Sequence, residues 1–213
     1  MTERNANQNQ SESAVRTFTV QSDLEEIQEN FSISINGTTQ FTKEQIINKA
    51  LKLHSDGNVL EAINCYKYFI NQGFSDSRVF NNYGIILKSL GKLQDAELLY
   101  RKAIEIKPDY ADAHYNLGNT LNDLGKLQDA ELSYRKAIKI KPDYAEAHYN
   151  LGNTLNDLGK LQDAELSYRK AIEIKPDYAE AHSNLGNILG DLGKLKDAEL
   201  SYRKAIEIKP DYA

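Results

Sequence analysis

The sequence predicts an all-α protein: a right-handed α-solenoid of five helix-turn-helix units behind a polar, largely disordered leader. Two observations predict it. The string Gly-Lys-Leu-(Gln/Lys)-Asp-Ala-Glu-Leu recurs at Gly91, Gly125, Gly159 and Gly193, always 34 residues apart, and a fixed period of roughly 20–50 residues marks a stacked-repeat architecture. Within each period two apolar stripes run at helical spacing, with a glycine between them and a proline after the second.

Residues 1–42 differ in kind from the rest. They are rich in Asn, Gln, Ser, Thr and Glu and hold no sustained period, a composition that buries too little apolar surface to offset the entropy of ordering. Two short signals stand out: Ser22 or Asp23 as cap of a turn or two of helix through Glu29, and an alternating stretch at 31–35 before Asn36-Gly37. The first unit, 43–76, keeps Ile46, Ala50, Leu53, Ala62 and Tyr66 on its stripes. It departs at Lys49, where the last three units carry Leu, and at Phe69 and Phe74, where the later units carry Ala and Pro, and it is predicted to be a degenerate, capping unit.

Units 77–110, 111–144, 145–178 and 179–212 carry the full pattern. In 145–178, Ala147, His148, Leu151, Gly152, Leu155 and Leu158 form the first stripe, and Gly159 supplies the left-handed residue that stops a helix. Leu161, Ala164, Tyr168, Ala171, Ile172 and Ile174 form the second, which ends before Pro176 because proline cannot donate to the helical ladder. Small Gly152 and Ala164 mark a close approach of the two helices, with Tyr168 and Leu155 filling the space beside it. Neither helix pair can bury its stripes alone, so neighbouring pairs must stack. The third and fourth units differ only at Asp112/Glu146 and Lys139/Glu173, the mark of duplication.

The columns Gly84/118/152/186, Ala96/130/164/198, Tyr100/134/168/202, Ala103/137/171/205 and Pro108/142/176/210 recur in register. Together they resemble the tetratricopeptide (TPR) repeat, and the resemblance covers 43–212. The family's usual Trp is replaced by Phe80, His114, His148 and His182. The strings Glu-Ala-His-(Tyr/Ser)-Asn-Leu-Gly-Asn, Gly-Lys-Leu-Gln-Asp-Ala and Tyr-Arg-Lys-Ala-Ile are similar to the TPR superhelix of protein O-GlcNAc transferases. That resemblance implies an inner surface with an asparagine ladder for substrate peptides.

Composition narrows the function. Lys+Arg 26 against Asp+Glu 31 gives a net charge of -5 and a pI of about 5.5, too acidic to grip nucleic acid. No apolar run approaches the roughly 18 residues of a membrane helix, and the first residues lack the apolar core of a secretion signal. A cytoplasmic location is the expectation. A single cysteine, Cys65, excludes an internal disulfide and reads as a small buried hydrophobe. His114, His148 and His182 stand one repeat apart, and helices packed about 8–10 Å apart cannot bring them to within about 2 Å of one zinc ion; they are expected in the core. With no nucleophile-base arrangement and no glycine-rich nucleotide loop, the chain is expected to have no catalytic constellation, cofactor or metal.

The remaining positions suggest binding. In a stacked array the first helices line the concave side, and their residues off the packing stripe face a groove. These include Tyr115, Asn116 and Asn119, Tyr149, Asn150 and Asn153, and Asn184 and Asn187, with Asp112, Glu146 and Glu180 among them. One column, Asn48, Asn82, Asn116, Asn150 and Asn184, survives even in the first unit. An amide offers donors and an acceptor to the backbone of an extended peptide whatever its side chains. Arg78 and Lys88 make the second unit locally basic. The expected function is a protein–protein interaction module binding a protein or peptide segment in the groove. The alternative is the substrate-recognition arm of a larger glycosyltransferase or sulfotransferase. The chain stops at Asp211-Tyr212-Ala213 on the threshold of another repeat, so end-to-end self-association through the last unit is a further expectation.

Overall fold

A computed structural model describes residues 41–210; the turn expected near Ser22 and the strand expected at 31–35 lie outside the described residues. The described chain folds into ten helices and no strand: α1 (Lys43–Ser55), α2 (Val59–Asn71), α3 (Ser77–Ser89), α4 (Leu93–Ile106), α5 (Ala111–Asp123), α6 (Leu127–Ile140), α7 (Ala145–Asp157), α8 (Leu161–Ile174), α9 (Ala179–Asp191) and α10 (Leu195–Ile208).

The helix ends follow from local chemistry. Thr42 opens α1 with a reciprocal capping box, its hydroxyl accepting from the Gln45 N–H while the Gln45 side chain accepts from the Thr42 N–H. The pattern Thr-x-x-Gln is visible in the sequence. Asp76 caps α3 by accepting from the Arg78 N–H at 2.9 Å. At the other end, α7 closes on Gly159 with φ 72°, and the Lys160 N–H reaches back to the Leu155 carbonyl at 2.8 Å. That bond satisfies a carbonyl the helix would otherwise leave unpaired.

Within each pair the first and second helices pack face to face, and each second helix packs on the first helix of the next unit. Ala164 and Ala171 are fully buried and Tyr168 is 2% exposed. A Cβ on Gly152 would lie 2.6 Å from the Tyr168 ring. The absent side chain of Gly152 therefore makes room for that ring, a more specific role than close helix approach. Consecutive first helices also touch, α3 with α5, α5 with α7 and α7 with α9, while no two second helices come as close. The first helices thus line the inner side of the curve, and the array is a right-handed solenoid of helix pairs.

The joint between α2 and α3 is sparser than the later ones. There Phe69, fully buried, meets Phe74 at 5.4 Å between ring centroids, filling with aromatic bulk what Ala and Pro close in later units. Cys65 is buried and free, and burial raises its thiol pKa, so it stays an unreactive neutral thiol.

Candidate peptide-binding groove

The expected groove amides are not idle surface residues. Asn150 Nδ2 donates to Asn119 Oδ1 at 2.8 Å and to the Tyr115 hydroxyl at 3.2 Å, both in the preceding unit. One repeat on, Asn184 Nδ2 makes the same bonds to Asn153 Oδ1 at 3.0 Å and Tyr149 at 3.1 Å. Asn119, Asn153 and Asn187 also accept from Tyr134, Tyr168 and Tyr202, each at 2.8 Å. The Tyr115 and Tyr149 rings lean on Tyr144 and Tyr178 of their own units at 4.8 Å. Apart from Asn187, which is exposed, these asparagines are half-buried, where an unpaired amide would be costly.

This geometry gives the asparagine column a structural task beside the binding role expected of it. Its donors tie successive units together. The oxygens are left: among the described residues nothing donates to Oδ1 of Asn116, Asn150 or Asn184. The column therefore offers acceptors rather than the paired donors and acceptors read from composition.

Nor are the five rungs equal. Asn116 Nδ2 finds Asn81 Oδ1 at 3.0 Å instead of the Asn-Tyr pair, Asn82 Nδ2 turns back to the Arg78 carbonyl of its own helix at 2.8 Å, and Asn48 is exposed. The cause lies one turn along the helix. Leu51 and Ile85 occupy the position of Asn119, and the hydroxyls of Tyr66 and Tyr100 are buried with no partner among the described residues. The amide network belongs to the last three units.

Charge follows the same division. The basic residues of the second unit are paired: Lys88 with Asp123 at 2.9 Å, and Arg78 with Asp76 at 3.0 Å and Glu44 at 3.3 Å. Burial works against the charged form of Asp76, yet its hydrogen bonds to Arg78 and the charges of Arg78 and Lys43 hold its pKa below the usual carboxylate range. Further along, Asn122 and Asn156 stand where Lys88 stands, and Asp157 and Asp191 have no cation partner among the described residues. Asn153, Asn156, Asp157, Tyr168, Asn184, Asn187, Ile188 and Asp191 line an open pocket of about 230 Å³.

Each joint is also latched away from the groove. His114, His148 and His182 place Nε2 at 3.0, 3.1 and 3.0 Å from the carbonyls of Pro108, Pro142 and Pro176, so Nε2 carries the proton. His114 and His148 are buried, whereas His182 is half-exposed. Glu97, Glu131 and Glu165 bind the lysine of the next turn, Lys126, Lys160 and Lys194, at 2.7, 2.7 and 2.6 Å. Among the described residues no three His, Cys, Asp or Glu side chains are placed to hold a metal ion, and no helix is long and apolar enough to cross a membrane.

Comparison with known proteins agrees with this architecture. A TPR repeat family model matches residues 84–122, 118–159 and 152–193, and a tetratricopeptide repeat model matches 179–212. No curated protein sequence matches the chain. A crystal structure of MamA is similar with TM-score 0.71 and 25% identity, covering 76% of this chain and 95% of that one. A MamA structure from Desulfovibrio magneticus RS-1 has TM-score 0.72 and 22% identity over 79% of this chain and 96% of that one. YrrB, described as a TPR protein with an unusual peptide-binding site, has TM-score 0.72 and 23% identity over 89% and 93%. These comparisons lend no support to a glycosyltransferase arm. Repeat period, helix pairing and family models converge: the chain belongs to the tetratricopeptide repeat family.

Proposed function

We propose that this protein, a TPR-type interaction scaffold, binds an extended segment of a partner protein along the inner surface of its last three units. The observation that carries this reading is the division of labour in the asparagine column. Because Nδ2 of Asn116, Asn150 and Asn184 is held by the preceding unit, each Oδ1 is fixed as an acceptor at one-repeat intervals. Main-chain N–H groups of an extended segment are the matching donors, and they are present whatever its sequence. The YrrB likeness, a TPR fold described with a peptide-binding site, is consistent with such a use.

The test is a pull-down from cell lysate with the full chain beside the Asn116/Asn150/Asn184→Ala variant, read by mass spectrometry. Circular dichroism must run in parallel, since the same amides join the units. Proteins captured by the wild type and lost by a variant that is still helical support the reading. An unchanged catch by the folded variant sinks it.

A further inference from the structure

The side of the array formed by the second helices carries its own row of sites. Between α4 and α6 lies a hollow of about 360 Å³ floored by Ile104 and Leu117, and between α6 and α8 a second of about 370 Å³ floored by Ile138 and Leu151. A leucine stands at the rim of each: Leu132 is 63% exposed and Leu166 66%. About two thirds of each leucine faces solvent. Apolar side chains kept in water beside an apolar hollow mark a contact surface.

Charge sets the helix between these hollows apart. In α4, α8 and α10 a lysine is answered one turn on by a glutamate: Lys102 by Glu105 at 3.5 Å, Lys170 by Glu173 at 2.7 Å and Lys204 by Glu207 at 2.9 Å. In α6 the answering residue is Lys139. Lys136 and Lys139 therefore stand one turn apart with no carboxylate partner for either among the described residues. Like charges at this spacing work against a helix, and an anion placed between them relieves the repulsion. Lys136 rims the hollow before α6, and Lys139, beside Arg135, rims the one after it.

We infer that the α6 ridge and its two flanking hollows form a second binding surface, separate from the groove, for an acidic amphipathic segment of a partner protein. Apolar side chains of that segment enter the hollows over Ile104/Leu117 and Ile138/Leu151, and its Asp or Glu carboxylates meet Lys136 and Lys139. Charge complementarity selects this ligand. The equivalent hollow between α8 and α10 carries Glu173, and its Lys204 is answered by Glu207 at 2.9 Å; the hollow between α4 and α6 also holds a glutamate, Glu105, but its Lys136 is unanswered among the described residues, so two unanswered lysines meet only at the α6 ridge.

The test uses the full chain and two fluorescein-labelled probe peptides of one length, an amphipathic Leu/Glu helix former and its Leu/Gln counterpart, followed by anisotropy at about 0.1 M salt, where exposed charges are only partly screened. Lys139→Glu gives α6 the residue that α4 and α8 already carry there, so the fold is kept, and circular dichroism checks it. Support is binding of the Glu peptide that weakens threefold or more in Lys139→Glu and threefold or more for the Gln peptide, with Asp157→Asn in the groove leaving it unchanged. A smaller change in either comparison, an equal loss in Asp157→Asn, or no binding of the Glu peptide up to about 1 mM, the weak end of specific association, overturns the inference.

Discussion

The Tyr134 hydroxyl donates to Asn119 Oδ1 at 2.8 Å, and that oxygen also receives the Asn150 amide from the next unit. One side-chain oxygen thus binds the two helices of its own unit together and the unit to its successor. In the second unit the same tyrosine, Tyr100, is buried with no partner among the described residues, because Ile85 replaces the acceptor.

Removing the two hydroxyls should have opposite consequences. Tyr134→Phe loses a satisfied hydrogen bond and should cost about 1 kcal/mol of stability, whereas Tyr100→Phe relieves a buried unpaired group and should be neutral or stabilising by about 1 kcal/mol. Urea denaturation of both variants measures this; equal losses would show that Tyr100 has a partner after all.

Two helical glycines should also part ways. Gly152→Ala forces a Cβ to 2.6 Å from the buried Tyr168 ring and should cost about 1–3 kcal/mol. Gly190→Ala, inside α9 with nothing within 4 Å of the new Cβ, should gain about 0.5–1 kcal/mol through helix propensity. Thermal melts should move in opposite directions.

Acidification should weaken the fold in two windows. Burial lowers the imidazole pKa of His148, with Lys170 acting the same way, and burial lowers that of His54. The unfolded chain then binds protons that the fold refuses, so stability is full above the ordinary value of 6.5 and falls as pH drops below it. A second loss belongs to the inter-unit glutamates. Burial opposes charge on Glu97 and Glu131, but Lys126 with Arg101, and Lys160 with Arg135, hold both below the usual range. For Glu165 the Lys194 hydrogen bond is the leading cause. Their contribution is present above about 4.5, the unfolded value, and is lost as pH falls through the lower folded values. Urea midpoints at about pH 7.5, 5.5 and 4 should fall stepwise, and the His54→Gln/His148→Gln variant should lose only the first step. A midpoint that rises between the first two values contradicts the assignment.

The Glu131 clamp should be salt-sensitive. Glu131→Gln weakens contacts to Lys160 at 2.7 Å and Arg135 at 2.9 Å; with both cations about half-exposed, the loss should be at most about 1 kcal/mol. It should shrink in about 1 M salt, where the screening length is about 3 Å. A loss unchanged by salt would point to packing instead.

The stop signals and stripes were legible because they act through near neighbours: Gly159, Pro176 and the Ala164–Tyr168–Ala171 stripe obey rules spanning a few residues. The roles of the groove residues were only half legible. The Tyr134–Asn119 bond crosses a helical hairpin and the Asn150–Asn119 bond crosses a unit boundary, so no local rule distinguishes an asparagine that joins units from one that awaits a ligand. Leu51 and Ile85 break the ladder visibly in the sequence: each stands fifteen positions before its tyrosine, where later units carry Asn. Lys139 was visible as a difference between copies, but its meaning needed the hollows on either side of it.

The Asn184–Asn153 joint repeats the Asn150–Asn119 joint bond for bond, which makes the array modular at the level of the gene. Excising or inserting one 34-residue segment between the third and fifth units would rejoin surfaces that already fit. Length is then a quantised trait. Evolution could lengthen or shorten the stretch of partner read by the protein in single rungs, without redesigning a joint or passing through a misfolded intermediate sequence.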